Sequence, residues 1–278
     1  METPAAVERV KARSKHPSDV PPVPRQYKLA VVIPDLHLPH EDKRTVAAVE
    51  KYLADESWDY WVCLGDMIDC EAISSFNVGK PRKVMSAPTV QEQFDYANVF
   101  LDRHLAAVSK QNPEVKKVYI SGNHEYRCER YVDRSPELQG LVDVERALGL
   151  SKRNVQYVRF WENGELFQLG KLYLGHGAYV VQNHAAKHVR DFGCNLLYGH
   201  THDIQQHSIK QRGKQQSLMA QSCGCLCEYE QAYMRGRPTN WAHAIGVVYV
   251  FPNGLFQLQV VPIIQSRFVG PTTGKVYG

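Results

Sequence analysis

Three short runs rich in β-branched and aromatic residues constrain this chain most: KLAVVIP (28–34), WDYWVCLG (58–65) and VKKVYISG (115–122). Each is too short for a stable helix and reads as a buried strand. Segments with helical apolar spacing separate them. DKRTVAAVEKYLADES (42–57) lines up Val46, Val49, Tyr52 and Leu53 on one face. In APTVQEQFDYANVFLDRHLAAVSKQ (87–111), Thr89 and Glu92 stand three apart as a capping box. Strand alternating with helix predicts an α/β fold with a mostly parallel sheet. KLYLGHG (171–177), a helix near 183–192 and NLLYG (195–199) continue the alternation. After residue 203 the runs IQQHSIKQ, KQQSLMAQS, AIGVVYVF and LFQLQVVPI follow with short turns, and an antiparallel half is expected there.

The organisation expected is a flexible tail over 1–26 and a single domain over 27–278. Residues 127–164, rich in Arg and Glu, are expected to form a helical cap over one edge, and the 222–241 loop to lie at the rim of a site. A hydrophobic content of 44% over 278 residues supports a sizeable core. No apolar run reaches the ~18 residues of a membrane span, and the N-terminal stretch lacks the apolar segment of a secretory signal. With 7 cysteines, an odd number without regular spacing, a disulfide framework is not expected, and a reducing cytoplasm fits. The net charge of +4 permits an anionic partner without demanding one. Oligomeric state is not legible.

The polar residues fall at the strand ends. The first strand runs into Asp35 and His37, the second into Asp66 and Asp69, the third into Asn123, His124 and Glu125. The strand at 171 runs into His176, and the one at 195 into His200 and His202. Open α/β sheets build their sites just past the carboxyl ends of strands. Carboxylate and imidazole together, with no cysteine, suit Mn, Fe or Zn better than Ca or Mg. Asp66 could bridge two ions, and two ions about 3.5–4 Å apart form the clamp used for in-line displacement at phosphorus. Any one of these groups alone is an ordinary polar turn. Five in series are not explained that way.

The series Asp-x-His, Gly-Asp-x-x-Asp, Gly-Asn-His-Glu, a later His, then Gly-His-x-His resembles the signature of the calcineurin-like metallophosphoesterase superfamily, complete in kind and order over residues 35–202. The resemblance implies a four-layer αββα sandwich of two mixed sheets flanked by helices, with a dinuclear metal site at strand C-terminal ends. It implies one ion on Asp35, His37, Asp66 and His202 and a second on Asp66, Asn123, His176 and His200, with Mn expected ahead of Fe, Zn and Mg. It implies His124 as general acid, oriented by Asp69, while Glu125 is left equally open to a structural role. Protein phosphatases of the superfamily follow Gly-Asp-x-x-Asp with an Arg that grips phosphate. Here that position is Cys70, which argues against a protein phosphatase. GNHEYRCERY and SCGCLCEYEQAYMRGRPTNWAHAIGVV are similar to segments of small phage and prophage phosphoesterases, which implies the host cytoplasm as location for a phage-encoded chain.

The function this implies is hydrolysis of a phosphodiester in a nucleotide or nucleic acid. A phosphomonoesterase or nucleotide pyrophosphatase is the alternative, and a non-catalytic scaffold a weaker one, since the catalytic histidine and every ligand are retained. For substrate contact the candidates are Arg127 and Arg130, level with a solvated helix start, and Arg235 and Arg237, which with Tyr229, Tyr233 and Trp241 suit nucleic acid or plain rim packing. Cys223, Cys225 and Cys227 do not match zinc-ligand spacing and read as a strand end or loop. His184 and His188 read as helix surface or site rim. Lys11, Arg13 and Lys15 read as a solvated tail.

Overall fold

The computed structural model describes residues 25–77, 88–210, 217–230 and 236–278; the predicted tail, apart from its last residues, lies outside these. One six-stranded sheet has the order β11-β10-β1-β2-β3-β4. Its members are β1 (Lys28–Ile33), β2 (Tyr60–Cys63), β3 (Lys116–Ile120), β4 (Val155–Val158), β10 (Ala244–Val250) and β11 (Phe256–Pro262). Strands β1 to β4 are parallel, while β10 runs antiparallel to β1 and β11 antiparallel to β10. A five-stranded sheet has the order β5-β6-β7-β9-β8, from β5 (Phe167–Leu169), β6 (Leu172–Gly175), β7 (Asn195–Tyr198), β8 (Gln206–Lys210) and β9 (Ser217–Ser222). A two-residue pair, β12 (Phe268–Val269) with β13 (Val276–Tyr277), closes the chain.

Both sheets are mixed, which revises the expectation of an antiparallel second half. The strand β9 lies parallel to β7, and β10 leaves that sheet to pair with β1. Turn signals reveal which strands are short and which are close in sequence. They do not reveal which sheet a strand returns to.

The period-2 alternation of β1 separates the layers. Leu29, Val31 and Ile33 pack with α1 (Lys43–Asp55) and α2 (Val90–Ser109), against Val49, Tyr52, Phe100 and Leu101. Ala30 and Val32 face the other way, onto Leu172 and Leu174 of β6 and Leu197 of β7. The outer face of the second sheet, with Leu196, Tyr198 and Ala220, packs on Val189 of α6 (His184–Phe192). The result is a helix–sheet–sheet–helix sandwich, and each fully buried aliphatic side chain between its layers contributes roughly 1.5–3 kcal/mol. The capping box is present at α2: the Thr89 side chain accepts from the Glu92 N–H, and the Glu92 carboxylate accepts from the Thr89 N–H.

Residues 127–164 hold α3 (Tyr126–Arg134), the single-turn α4 (Val144–Ala147) and α5 (Phe160–Asn163), and also the edge strand β4. No helix among the described residues is long and apolar enough to cross a membrane.

Candidate metal centre

The carboxyl ends of β1, β2 and β3 in one sheet and of β6 and β7 in the other meet along a common edge. The loops that leave them are knitted together. The His37 N–H donates to the Asp66 carbonyl at 2.8 Å, the Leu38 N–H to the Met67 carbonyl at 2.7 Å, and the Asp69 N–H to the Leu38 carbonyl at 3.1 Å. Close approach at this edge leaves no room for a Cβ at Gly65, Gly122 or Gly199. One added at Gly199 would land on the Asp35 carboxylate, and one at Gly122 on that of Asp66. Nine non-glycine residues among those described have positive φ, and five of them are Asp35, His37, Asp66, His200 and His202. Left-handed backbone at non-glycine residues is strained and concentrates where a site over-determines it.

The structure brings together all seven side chains that the resemblance implied as ligands. His37 Nε2 and His202 Nε2 face each other at 3.1 Å. Asp35 Oδ1 lies 3.3 Å from His202 Nε2, and Asp66 Oδ2 lies 3.7 Å from His37 Nε2. On the other side of Asp66, His176 Nε2 lies 3.2 Å from Asp66 Oδ2 and 3.1 Å from Asn123 Oδ1. Asp66, His176 and His200 form one group of donors within 4.8 Å of one another, and Asp35, His37 and Asp66 another.

The donor chemistry calls for a cation. His176 Nδ1 stands 2.7 Å from the Leu64 carbonyl, which can only accept, so Nδ1 carries the proton. In the neutral ring Nε2 is then bare, and it converges with a carboxylate oxygen and an amide oxygen, three acceptors with no donor among them. This is the orientation of a metal-binding imidazole whose far nitrogen is fixed by a carbonyl. His37 has its Nδ1 turned to Asp69 Oδ2 at 3.1 Å. His202 has its Nδ1 3.9 Å from the Cys227 sulfur.

Electrostatics agree that positive charge is favoured here. Burial lowers the His176 pKa, but Asp66 beside it outweighs burial and pushes it up to about 9. Burial also lowers His202, and Cys227 and Asp35 beside it carry it up to about 10. Burial and the neighbouring His176 hold His200 down at about 3, and burial and His124 lower His37. Burial opposes ionisation of Asp66, yet His124 and His176 hold its carboxyl well below the ordinary value.

His124 lies beside this group. Its N–H donates to Asp66 Oδ1 at 2.9 Å, and its ring Nδ1 donates to the Asp69 carbonyl oxygen at 2.8 Å. The Asp69 carboxylate is farther from the same nitrogen, 3.5 Å. Arg127 donates to the Asp69 carbonyl at 2.7 Å, and its Nη2 stands 2.9 Å from His124 Nε2.

Sequence reasoning left Glu125 open, and its surroundings are informative. The buried carboxylate accepts from the backbone N–H groups of Asp66, Met67 and Gly122 at 2.8–2.9 Å and of Ile68 at 3.3 Å, and from the Tyr119 hydroxyl at 2.7 Å. It fastens the Asp66 loop to the Asn123 loop. The signal available in the sequence was an acid directly after Gly-Asn-His.

Other candidates fall elsewhere. Arg130 is exposed on α3, Arg237 is exposed, and Arg235 and Tyr233 lie outside the described residues. Tyr229 stacks on His243 at 4.1 Å, and its oxygen accepts the His243 N–H, so it packs rather than faces a base. Trp241 meets the His202 ring edge-on at 4.3 Å. Trp161, from α5, stands 5.3 Å from the His200 ring. Cys223, Cys225 and Cys227 are buried. Cys227 forms a three-donor group with His37 and His202, and neighbouring Cys225 and burial hold its thiol well above the ordinary value. His184 and His188 are buried, not on the helix surface, because α6 turns that face onto β7.

The chain matches the family model described as calcineurin-like phosphoesterase over residues 29–206. It is similar to the Gene 54 protein of Mycobacterium phage D29, 26% identical over 256 residues, covering 87% of this chain and 96% of that one. Among solved structures it is similar to vacuolar protein sorting 29 from Cryptosporidium parvum, with a TM-score of 0.44, 16% identity and coverage of 91% and 95%. It is also similar to the Pseudomonas putida nuclease MPE, with a TM-score of 0.35, 16% identity and coverage of 83% and 86%.

Proposed function

This chain belongs to the calcineurin-like phosphoesterase family and is a metal-dependent phosphoesterase; from that premise we propose that it cleaves a phosphodiester in a nucleotide or nucleic acid. Asp35, His37, Asp66 and His202 would hold one divalent ion, and Asp66, Asn123, His176 and His200 the other, with Mn the best-suited metal. When bound, such ions polarise the phosphoryl oxygens and lower the pKa of the attacking water. The convergence of His176 Nε2 and Asn123 Oδ1 on one side of Asp66, and of His37 Nε2 and His202 Nε2 on the other, supports this division.

The remaining work falls to the chain itself. With Nδ1 committed to the Asp69 carbonyl, His124 presents Nε2 to the reacting region. A proton there serves the leaving oxygen, and Asp69 acts by holding the ring. Arg127 Nη2 occupies that place at present, so an incoming phosphate oxygen would draw the guanidinium onto itself. Residues 27–278 act as one phosphoesterase domain in this reading, and the likeness to phage proteins supports the host cytoplasm as its location.

The observation that carries the diester reading is Cys70. It is buried with its sulfur 3.5 Å from that of Cys128, so the position after Gly-Asp-x-x-Asp offers no cation to a dianionic monoester. Arg127 favours the alternative, a phosphomonoesterase or nucleotide pyrophosphatase, because it brings a guanidinium to the Asp69 carbonyl from α3. The deciding measurement is kcat/KM for bis-nitrophenyl phosphate against nitrophenyl phosphate, with EDTA-stripped protein reloaded with Mn. Higher efficiency on the diester is expected. A clear monoester preference overturns the diester assignment, and turnover indifferent to EDTA overturns the metal assignment.

A further inference from the structure

The helix α3 carries arginines at 127, 130 and 134. Spacings of three and four put them on one face. They line an open cleft of about 350 Å³, together with Asn123, Tyr126 and Trp161. Asn123 and Arg127 border the metal centre, so the cleft leads away from it. Arg130 and Arg134 are exposed, and among the described residues neither has a hydrogen-bond or ion-pair partner. Of the two acids on this helix, Glu129 is taken by Arg159 at 3.0 Å, and Asp133 makes no ion pair with either arginine among the described residues. Like charges three and four residues apart weaken a helix. From Arg127 to Arg134 the axis rises about 10 Å, more than one phosphate spans. Trp161 offers a flat ring on the same cleft, beside His200.

We propose that Arg130 and Arg134 form a subsite for a second phosphate beyond the scissile one, and that the substrate is a nucleic-acid strand with at least two phosphates, a neighbouring base stacking on Trp161. The proposal rests on the phosphoesterase reading of the adjacent centre. Arg127 serves the scissile group, and the two arginines further along serve the next phosphate of the strand. Pairing a guanidinium with phosphate is charge-assisted and bidentate, and a base stacks on an aromatic ring whatever its identity, so the cleft would read the strand and not its sequence.

The test compares kcat/KM for the dinucleotide TpT with that for its 5′- and 3′-phosphorylated forms, pTpT and TpTp, on Mn-loaded protein. One phosphorylated form is expected to be favoured about tenfold or more, the effect of a hydrogen bond to a charged group. In the Arg130→Ala/Arg134→Ala double variant that ratio should fall to near one, and the corresponding Lys/Lys variant should restore part of it. An unchanged ratio in the double variant overturns the subsite, as does a wild-type protein indifferent to the added phosphate. A gain confined to a pyrophosphate-linked dinucleotide overturns the strand assignment. Binding of a fluorescently tagged, phosphate-ended oligothymidylate in EDTA separates this proposal from the diesterase reading. The double variant should bind more weakly, with a salt dependence shallower by about 1–2 in log–log slope. Equal affinities there overturn the subsite, whatever ester the enzyme cleaves.

Discussion

Among the buried histidines of the described residues, those on α6 and those at the candidate centre differ in what the second ring nitrogen meets. On α6, His184 places Nδ1 2.7 Å from the Tyr198 hydroxyl and Nε2 3.0 Å from Asp203 Oδ2. His188 donates from Nδ1 to the His184 carbonyl at 2.7 Å and accepts the Ala178 N–H at Nε2, 2.9 Å away. Every nitrogen there has a protein partner of the opposite kind. At the candidate centre, His176 has one nitrogen satisfied by a carbonyl and the other among acceptors, and His37 and His202 turn like nitrogens on each other. What calls for a cation is therefore the convergence of such nitrogens with carboxylate and amide oxygens, and not an unpaired nitrogen alone: buried His104 leaves Nε2 without a partner but packs it among Trp61 and Phe100.

The sharpest way to break this contrast is Asp66→Asn. It removes the carboxylate shared by both halves of the centre, so elemental analysis should find neither ion tightly held. Loss of that Lewis-acid assistance should cut turnover by about a thousandfold or more. Two tightly held metals in the purified variant would refute the bridging role.

The converse variant, His184→Leu, removes a fully partnered histidine. It leaves the Tyr198 hydroxyl and the Asp203 carboxylate each short of a partner, at a cost of about 2–4 kcal/mol. For a chain of this size that lowers Tm by roughly 4–10 °C, with metal content retained. Metal lost while Tm holds would mean that the two groups are not separable.

The smallest effect is a pH dependence. Burial holds His188 down at about 4 against an ordinary 6.5. The unfolded chain binds this proton between those values and the folded one does not, so stability is full above pH 6.5 and falls as pH drops toward 4. His188→Gln keeps an acceptor for the Ala178 N–H but does not titrate. Urea midpoints measured from pH 7 to 4 should fall less steeply in that variant. Parallel curves would remove His188 as a source of acid lability.

Much of the architecture was legible because it is local. A six-residue apolar run with alternating faces has few options, and the box of Thr89 and Glu92 starts α2 wherever the helix then packs. The order of polar residues at strand ends was legible for the same reason. What escaped depends on distant partners. The return of β10 to β1 joins residues more than two hundred positions apart. The burial of His184 and His188 depends on which face α6 turns to β7. Three of the five donors around Glu125 come from the loop after β2, and nothing near residue 125 announces that loop. The approach of Arg127 to Asp69 likewise needs α3 to start where β3 ends, against the loop after β2.

The left-handed backbone at Asp35, His37, Asp66, His200 and His202 has a consequence for how the site comes into being. Each such residue costs of order 1–3 kcal/mol, and the backbone hydrogen bonds that tie these loops together offset that cost. Loops tied to one another in this way favour a preorganised cage, for which less of a ligand's affinity is spent on ordering. Substituting glycine at one of these five positions would relieve strain while removing a donor. The same exchange would leave a sturdier apoprotein and a poorer host for metal, which makes the centre a place where foldedness and function pull in opposite directions.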